Sequence, residues 1–323
     1  MTKPKVFITR RWPASVEEKL RHLYDVKLNE DDQPLSVSDF KAAMQEYDAV
    51  CPTVCDHFSA EVINVESKRC KILANFGVGY NHIDIEAARK NGLVVTNTPG
   101  VLTQSTADIA MTLLLMSARR GAEGDRLVRA RQWMGWSPTH MLSSNVTGMT
   151  LGLVGFGRIG QAMARKAHHG FDMNILYFNP SQPDEYVVRD LNAKRCETLE
   201  ELLKQSDFVS LHCPAGASTK HLINATTIKQ MKPTAHLINT ARGDVVDSEA
   251  LIEALRTKQI AGAGLDVYEN EPFIHEGFLA LDNVALLPHL GSATLETRTA
   301  MGEKVLANLV AYFAGQPLPD QVV

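Results

Sequence analysis

Cysteine is scarce in this chain: five among 323 residues, at positions 51, 55, 70, 196 and 213. An odd, scattered set excludes a disulfide-stapled scaffold and suits a reducing cytosol. Long apolar runs are missing as well. The longest, Ile109 to Met116 with Thr112 inside it, falls far short of the ~20 residues that span a bilayer. There is no basic excess: 33 Lys and Arg stand against 37 Asp and Glu, a net charge of −4, which argues against a nucleic-acid partner. The opening residues lead straight into apolar Val6 to Ile8, without the layout of a signal peptide. No solenoid-period repeat and no low-complexity segment is found. The expectation is a soluble, cytoplasmic protein that makes no membrane contact. At ~150 residues per domain it should have two domains.

What is present is alternation. Short apolar runs alternate with stretches of helical period, the signature of parallel sheets with crossover helices. In the first hundred residues the expected strands are Lys5–Ile8, Asp48–Val50, Ile72–Ala74 and Leu93–Thr96. Amphipathic helices are expected over Ser15–Leu23 and Ile83–Asn91. A long helix is expected from Ser105 to Val128, apolar almost all round in its first half, and therefore buried. An irregular arm from Arg131 to Asn145 follows, carrying Trp133 and Trp136, two of the three tryptophans. That is more apolar surface than an idle loop needs. A second series has strands at Thr150–Val154, Asn174–Phe178, Phe208–Leu211, Ala235–Asn239, Ala263–Val267 and Val284–Leu287, then a last helix over Leu295–Phe313. Thr198 with Glu201 three residues on reads as a capping box. The fold class is α/β, with two doubly wound parallel sheets.

Gly155, Gly157 and Gly160 form a G-x-G-x-x-G run directly after the strand Thr150–Val154 and open a helix at Arg158. The motif alone is weak, since glycines often serve only as turns. In this strand–loop–helix setting it reads as a dinucleotide fingerprint, with the pyrophosphate at the helix N-terminus. The acid expected about 20 residues on is missing, because Asn174–Phe178 ends at Asn179. A carboxylate there repels the extra phosphate of NADP, whereas an asparagine does not. Yet no Arg or Lys stands between Asn179 and Tyr186. NADPH and NADH are both admitted, with a lean to NADPH, and the bland alternative is an Asn179 that merely caps the strand.

Polar groups gather at the strand ends, where open α/β sheets bind ligands. Arg242 follows one strand, Asp266 ends the next, Glu271 lies just beyond, and His289 follows the last. An Arg clamps a carboxylate bidentately, and a His beside a Glu is a tuned proton carrier. Each residue alone is commonplace, and Arg242 or His289 could be an ordinary loop residue. Together, beside a dinucleotide fold, they read as a carboxylate clamp, a proton donor and its partner. The pair Cys51 and Cys55 with His57 lacks a complete zinc set, so no metal is expected.

Four runs, Leu151–Gly160, Asn239–Asp247, Gly264–Pro272 and Pro288–Ala293, together resemble the D-isomer-specific 2-hydroxyacid dehydrogenases. The likeness extends to Asn75–Asp84 and covers essentially the whole chain. The arm tryptophans and Glu271–Gly277 resemble most the glyoxylate/hydroxypyruvate reductases and glycerate dehydrogenases of that family. The resemblance implies a flavodoxin-like substrate domain, 1–100 plus 294–323, and an inserted Rossmann dinucleotide-binding domain, 101–293. It implies that Arg242 orients the substrate carboxylate, that His289 is the acid/base and Glu271 its partner, and that Val78 and Gly79 bind the carboxylate through their backbone. Phe156, Arg158, Ile159, Asn179, Cys213, Thr240 and Gly291 would line the dinucleotide with the three glycines, and Asp266 would lie by the nicotinamide. Ser181 is a candidate hydrogen-bond donor to a 2′-phosphate. The resemblance further implies a homodimer formed through about 100–149, with Trp136 reaching the partner's active site. The implied substrate is a small 2-oxoacid, glyoxylate or hydroxypyruvate first, with 2-ketogluconate-like or phenylpyruvate-like acids as alternatives. A non-catalytic, NADH-sensing co-regulator on the same fold is the rival class, and the presence of Arg242, Glu271 and His289 speaks against it.

Overall fold

The computed structural model describes residues 3–323, and the chain divides into two compact units. One comprises the chain up to Leu102 together with Ala293–Val323, the other Thr103–Ser292. Among the described residues no helix is long and apolar enough to cross a membrane.

In the first unit the strands are β1 (Lys5–Ile8), β2 (Asp25–Leu28), β3 (Ala49–Cys51), β4 (Ile72–Ala74) and β5 (Val94–Thr96). They form one parallel sheet in the order β2-β1-β3-β4-β5, the flavodoxin-like order of a doubly wound fold. Alternate side chains serve opposite faces. Phe7, Val50, Leu73 and Val95 pack with the helices Val37–Glu46, Ala60–Ile63 and Ile85–Lys90. Val6, Ile8, Ala49, Cys51, Ile72 and Ala74 pack with Ala14–Leu23 and the terminal helix Leu295–Phe313. Both faces are therefore covered, which is why β1, β3, β4 and β5 read as largely apolar runs.

The second unit holds β6 (Thr150–Val154), β7 (Asn174–Phe178), β8 (Lys194–Arg195), β9 (Phe208–Leu211), β10 (His236–Asn239), β11 (Gly262–Leu265) and β12 (Val284–Leu286). Its parallel sheet runs β12-β11-β10-β9-β6-β7-β8. The strand order reverses between β6 and β9, the switch point where Rossmann folds bind their ligands. The helices Thr103–Ala118, Arg158–Phe171 and Glu185–Asp190 cover one face. Leu199–Gln205, Ala225–Ile228, Ser248–Arg256 and Glu276–Leu279 cover the other.

Three local expectations need correction. The long helix over Ser105–Val128 is two helices, Thr103–Ala118 and Gly121–Arg129. The break falls at Arg120, whose φ of 54° is left-handed. The first helix buries nine side chains, the second none, so packing holds only the first to its axis. The capping box at Thr198 is half formed. Thr198 accepts the Glu201 amide at 3.1 Å, but the Glu201 carboxylate takes the amide of Glu197 at 2.9 Å instead of that of Thr198. Finally, β2 and β8 carry no apolar run that would announce them; each is a short, charge-bearing strand at a sheet edge, paired on one side only.

One buried histidine ties β10 to two other segments. His236 hydrogen-bonds the Ser117 hydroxyl through Nδ1 at 2.8 Å and the Ser144 hydroxyl through Nε2 at 3.0 Å, and it stacks on Phe208. Burial pushes its pKa from an ordinary 6.5 down to about 4. The unfolded chain therefore binds a proton near pH 6.5 that the folded chain resists until about pH 4. The stability that neutral His236 contributes is complete above pH 6.5 and is lost as pH falls toward 4. Urea unfolding of the parent and of His236→Gln at a series of pH values should show their stability difference narrowing on acidification across that window. A difference independent of pH would show that His236 does not titrate in this way.

Candidate active site

The glycine loop leaves β6 at the switch point. Gly155 has φ 92°, and a Cβ there would lie 2.7 Å from the Cys213 amide and the His212 carbonyl carbon. Only glycine lets the ends of β6 and β9 approach so closely. A Cβ at Gly160 would strike the Gly155 carbonyl, whereas one at Gly157 would meet nothing. The loop is thus closed below by Gly160 and open above at Gly157. The helix Arg158–Phe171 begins there with no side-chain cap, so its first amides are left for an external acceptor. Such a terminus is an anion site by geometry and dipole. Two strands along, at the end of β10, the buried Thr240 hydroxyl lacks a hydrogen-bond partner among the described residues. An open cradle and an orphaned hydroxyl fit a bound dinucleotide.

Asn179 sits where the acidic residue of the fingerprint would be. Its Oδ1 accepts the Phe156 amide at 2.9 Å, and its Nδ2 donates to the Ser181 carbonyl and hydroxyl oxygens at 2.8 and 3.0 Å. The side chain therefore links the glycine loop to the loop after β7, and no carboxylate is present there.

Proton chemistry is assembled one edge further along. His289 Nδ1 lies 2.7 Å from Glu271 Oε2, and Glu271 Oε1 accepts the Tyr268 amide at 2.9 Å. Burial pushes the Glu271 carboxyl up. The hydrogen bond and charge of His289, the Tyr268 amide and Arg242 outweigh it, and Glu271 is held below its ordinary range. The carboxylate fixes the imidazole's orientation and leaves Nε2 free to face a ligand.

Asp266 does more than the resemblance implies. It is buried and accepts the amides of Leu290 and Gly291 at 2.7 and 2.8 Å, one on each carboxylate oxygen. Its carbonyl takes the His289 amide at 3.0 Å. These bonds hold His289 at a left-handed φ of 55°. Gly291 lies against Asp266 and Thr106, whose hydroxyl donates to its carbonyl at 3.1 Å.

Arg242 follows β10 and is mostly buried, and burial lowers its pKa against the opposing charge of Glu271. Asn239 shapes its loop, donating to the Arg242 carbonyl at 2.9 Å and accepting the Ala241 amide at 3.0 Å. Gly243 packs so closely on the Tyr268 carbonyl group that a Cβ has no room. The structure thus brings Arg242, Glu271, His289 and Asp266 together at consecutive strand ends. It does not bring Trp136 to them: Trp136 is 82% exposed on the arm, near Met134 at 96%. Val78 and Gly79 belong to the first unit, half-buried in the loop after β4. Sequence reasoning gave no role to Asn239 or to Tyr268, whose hydroxyl bridges the Leu265 and Leu287 carbonyls. A polar residue ending an apolar strand was the available signal for Asn239; Tyr268 had none.

Comparison with known proteins agrees with this geometry. Residues 111–291 match the family model described as the D-isomer specific 2-hydroxyacid dehydrogenase, NAD binding domain. A glyoxylate reductase of Thermococcus onnurineus is 48% identical over 324 aligned residues, covering 99% of this chain and 96% of the relative. This chain belongs to the D-isomer-specific 2-hydroxyacid dehydrogenase family. It is an oxidoreductase that binds a nicotinamide dinucleotide. Among solved structures, the TT0316 protein of Thermus thermophilus is 40% identical with a TM-score of 0.90, covering 99% of this chain and 100% of that one. An NADPH-dependent glyoxylate/hydroxypyruvate reductase of Sinorhizobium meliloti, solved with NADP and malonate, is 34% identical with a TM-score of 0.87, covering 100% and 97%.

Cys213 stands beside the glycine loop, and burial raises its thiol pKa to about 11. Because the thiolate is the reactive form, Cys213 should resist iodoacetamide at pH 8. Exposed Cys55 should be alkylated, as read by peptide mass spectrometry. Rapid labelling of Cys213 at pH 8 would mark it as a reactive thiol.

Proposed function

We propose that this enzyme reduces a small 2-oxoacid, with glyoxylate and hydroxypyruvate first, to the D-2-hydroxyacid, using NADPH or NADH. The observation that carries this reading is the His289–Glu271 pair at 2.7 Å, set beside the buried guanidinium of Arg242. A reduced nicotinamide, when bound, supplies the hydride that the carbonyl carbon accepts. Arg242 pairs its planar fork with the substrate carboxylate and so turns the carbonyl in one sense. Val78 and Gly79 offer backbone amides to a carboxylate. His289, with Nδ1–H directed at Glu271, donates the Nε2 proton to the carbonyl oxygen, and Glu271 stabilises the imidazolium until that moment. Gly155, Gly157, Gly160 and the amides of Arg158 and Ile159 would hold the pyrophosphate. Phe156, Cys213, Thr240, Asp266 and Gly291 would line the rest of the dinucleotide, with Asp266 on the nicotinamide side.

We further read the exposed apolar arm, with Trp133 and Trp136, as the surface through which two copies pair, and the protein as cytoplasmic. The Thermococcus and Sinorhizobium relatives support the choice of substrate, and the latter's NADPH dependence supports the lean to NADPH.

Purified protein mixed with glyoxylate and NADPH should bleach the nicotinamide absorbance, and His289→Ala should lower kcat by ~10² to 10⁴ while NADPH still binds. No turnover of any short 2-oxoacid with either cofactor would overturn the reading. A mutant that keeps most of its rate would remove His289 from the mechanism.

Cofactor choice turns on Asn179. Asn179→Asp keeps an acceptor for the Phe156 amide, loses the donor to the Ser181 carbonyl and places a negative charge beside a 2′-phosphate. The ratio of kcat/KM for NADPH over NADH should fall by ~10-fold or more. If the parent already rejects NADPH as strongly as the mutant, Asn179 is a ribose ligand in an NADH enzyme.

A further inference from the structure

The loop after β4 has an unusual hydrogen-bond balance. Val78, Gly79 and Tyr80 are consecutive, and none of their amides donates a hydrogen bond among the described residues, while the carbonyls of Gly77, Val78 and Gly79 are all taken. The Asn75 carboxamide takes two of them: its Nδ2 donates to the Gly77 and Gly79 carbonyls, each at 3.0 Å. Asn97 Nδ2 donates to the Val78 carbonyl at 2.9 Å, and the Thr98 amide adds a second bond to Gly77 at 3.0 Å. In a trans peptide the C=O and the following N–H point in opposite directions. Drawing the Gly77 and Gly79 carbonyls onto Asn75 therefore turns the Val78 and Tyr80 amides away from it. Asn97 does the same for the Gly79 amide.

Asn75 itself is fixed. It is fully buried, and its Oδ1 lies 3.0 Å from Nε2 of buried His82. With both amide hydrogens committed to carbonyls, Oδ1 must accept, so His82 Nε2 carries the proton. Reversing the carboxamide would set an oxygen against two carbonyl oxygens. The loop cannot relax outward without breaking these bonds, and a Cβ on Gly77 would sit 2.9 Å from Val54, so it is also closed from that side.

We propose that Asn75, oriented by His82, is a positioning residue for the substrate carboxylate: it holds the 77–80 peptides so that the amides of Val78, Gly79 and Tyr80 stay unpaired and available to an anion. This rests on the reading of the protein as a 2-oxoacid reductase. It goes beyond that reading in naming Asn75 and His82 and in adding the Tyr80 amide as a donor. An anion that meets donors already turned outward does not have to reorganise the loop, which lowers the cost of binding.

Asn75→Asp is nearly isosteric, but its carboxylate cannot donate to two carbonyls and brings a negative charge behind the loop; Asn75→Ala adds no charge and removes both donors together with the acceptor for His82. Both should raise the KM for glyoxylate, and the Ki of the competitive carboxylate oxamate in parallel, by ~10- to 100-fold. The Kd for NADPH should not move, and kcat should change far less than KM. A general loosening of the fold would not confine its effect to the acid, and the thermal midpoint checks that the variants are folded. Folded Asn75 variants with parental KM and Ki would overturn the proposal. If neither variant folds, His82→Ala carries the test, with the same split of KM from kcat and NADPH binding expected and an unchanged KM counting against it. A parent enzyme inactive on every short 2-oxoacid would instead defeat the reading of the reaction.

Discussion

Asp266 accepts two backbone amides on its carboxylate and a third on its carbonyl, and the placement of His289 depends on that set of bonds. A left-handed backbone is costly for a residue with a Cβ and persists only where its surroundings over-determine it. At His289 the over-determination is explicit. The amides of three consecutive residues end on one buried aspartate, and the side chain is held again at Nδ1 by Glu271. Asp266 is buried, and burial raises its carboxyl pKa against the stabilising amides of Leu290 and Gly291. Those amides are what make the burial tolerable.

The same reliance on backbone appears at the cofactor loop. Gly155 and Gly160 bring strand and helix within van der Waals limits, and Gly157 leaves the space above open. Asn179 then couples this loop to the segment after β7, so the residue at the acidic position of the fingerprint also braces the glycine loop. Placing these features at the switch point between β6 and β9 follows from the strand order, because crossovers leave in opposite directions there and open a crevice. Arg242, Asp266, Glu271 and His289 occupy the ends of β10, β11 and β12 on the same edge for the same reason.

The loop carrying Val78 and Gly79 is built on an opposite principle from the glycine loop. There the chain is permissive because side chains are absent; here two asparagines impose the peptide orientations. Both arrangements leave amides unpaired, and unpaired amides held in place are what bind anions.

Much of this was legible in the chain. Apolar runs buried on both faces and a glycine run between strand and helix are local patterns, and local patterns determine the α/β class, most strands and the dinucleotide cradle. The positions of Arg242, Glu271 and His289 at strand ends could be read for the same reason, since a strand end is a local property. The break at Arg120, the edge strands β2 and β8, the Glu201 carboxylate's choice of Glu197 and the roles of Asn239, Tyr268 and Asn75 could not. Each depends on which groups meet in space: Asp266 reaches Gly291 across 25 residues, and Asn97 reaches Val78 across 19. A hydrogen bond over such a separation leaves no period or spacing behind it, so only the folded chain decides where it forms.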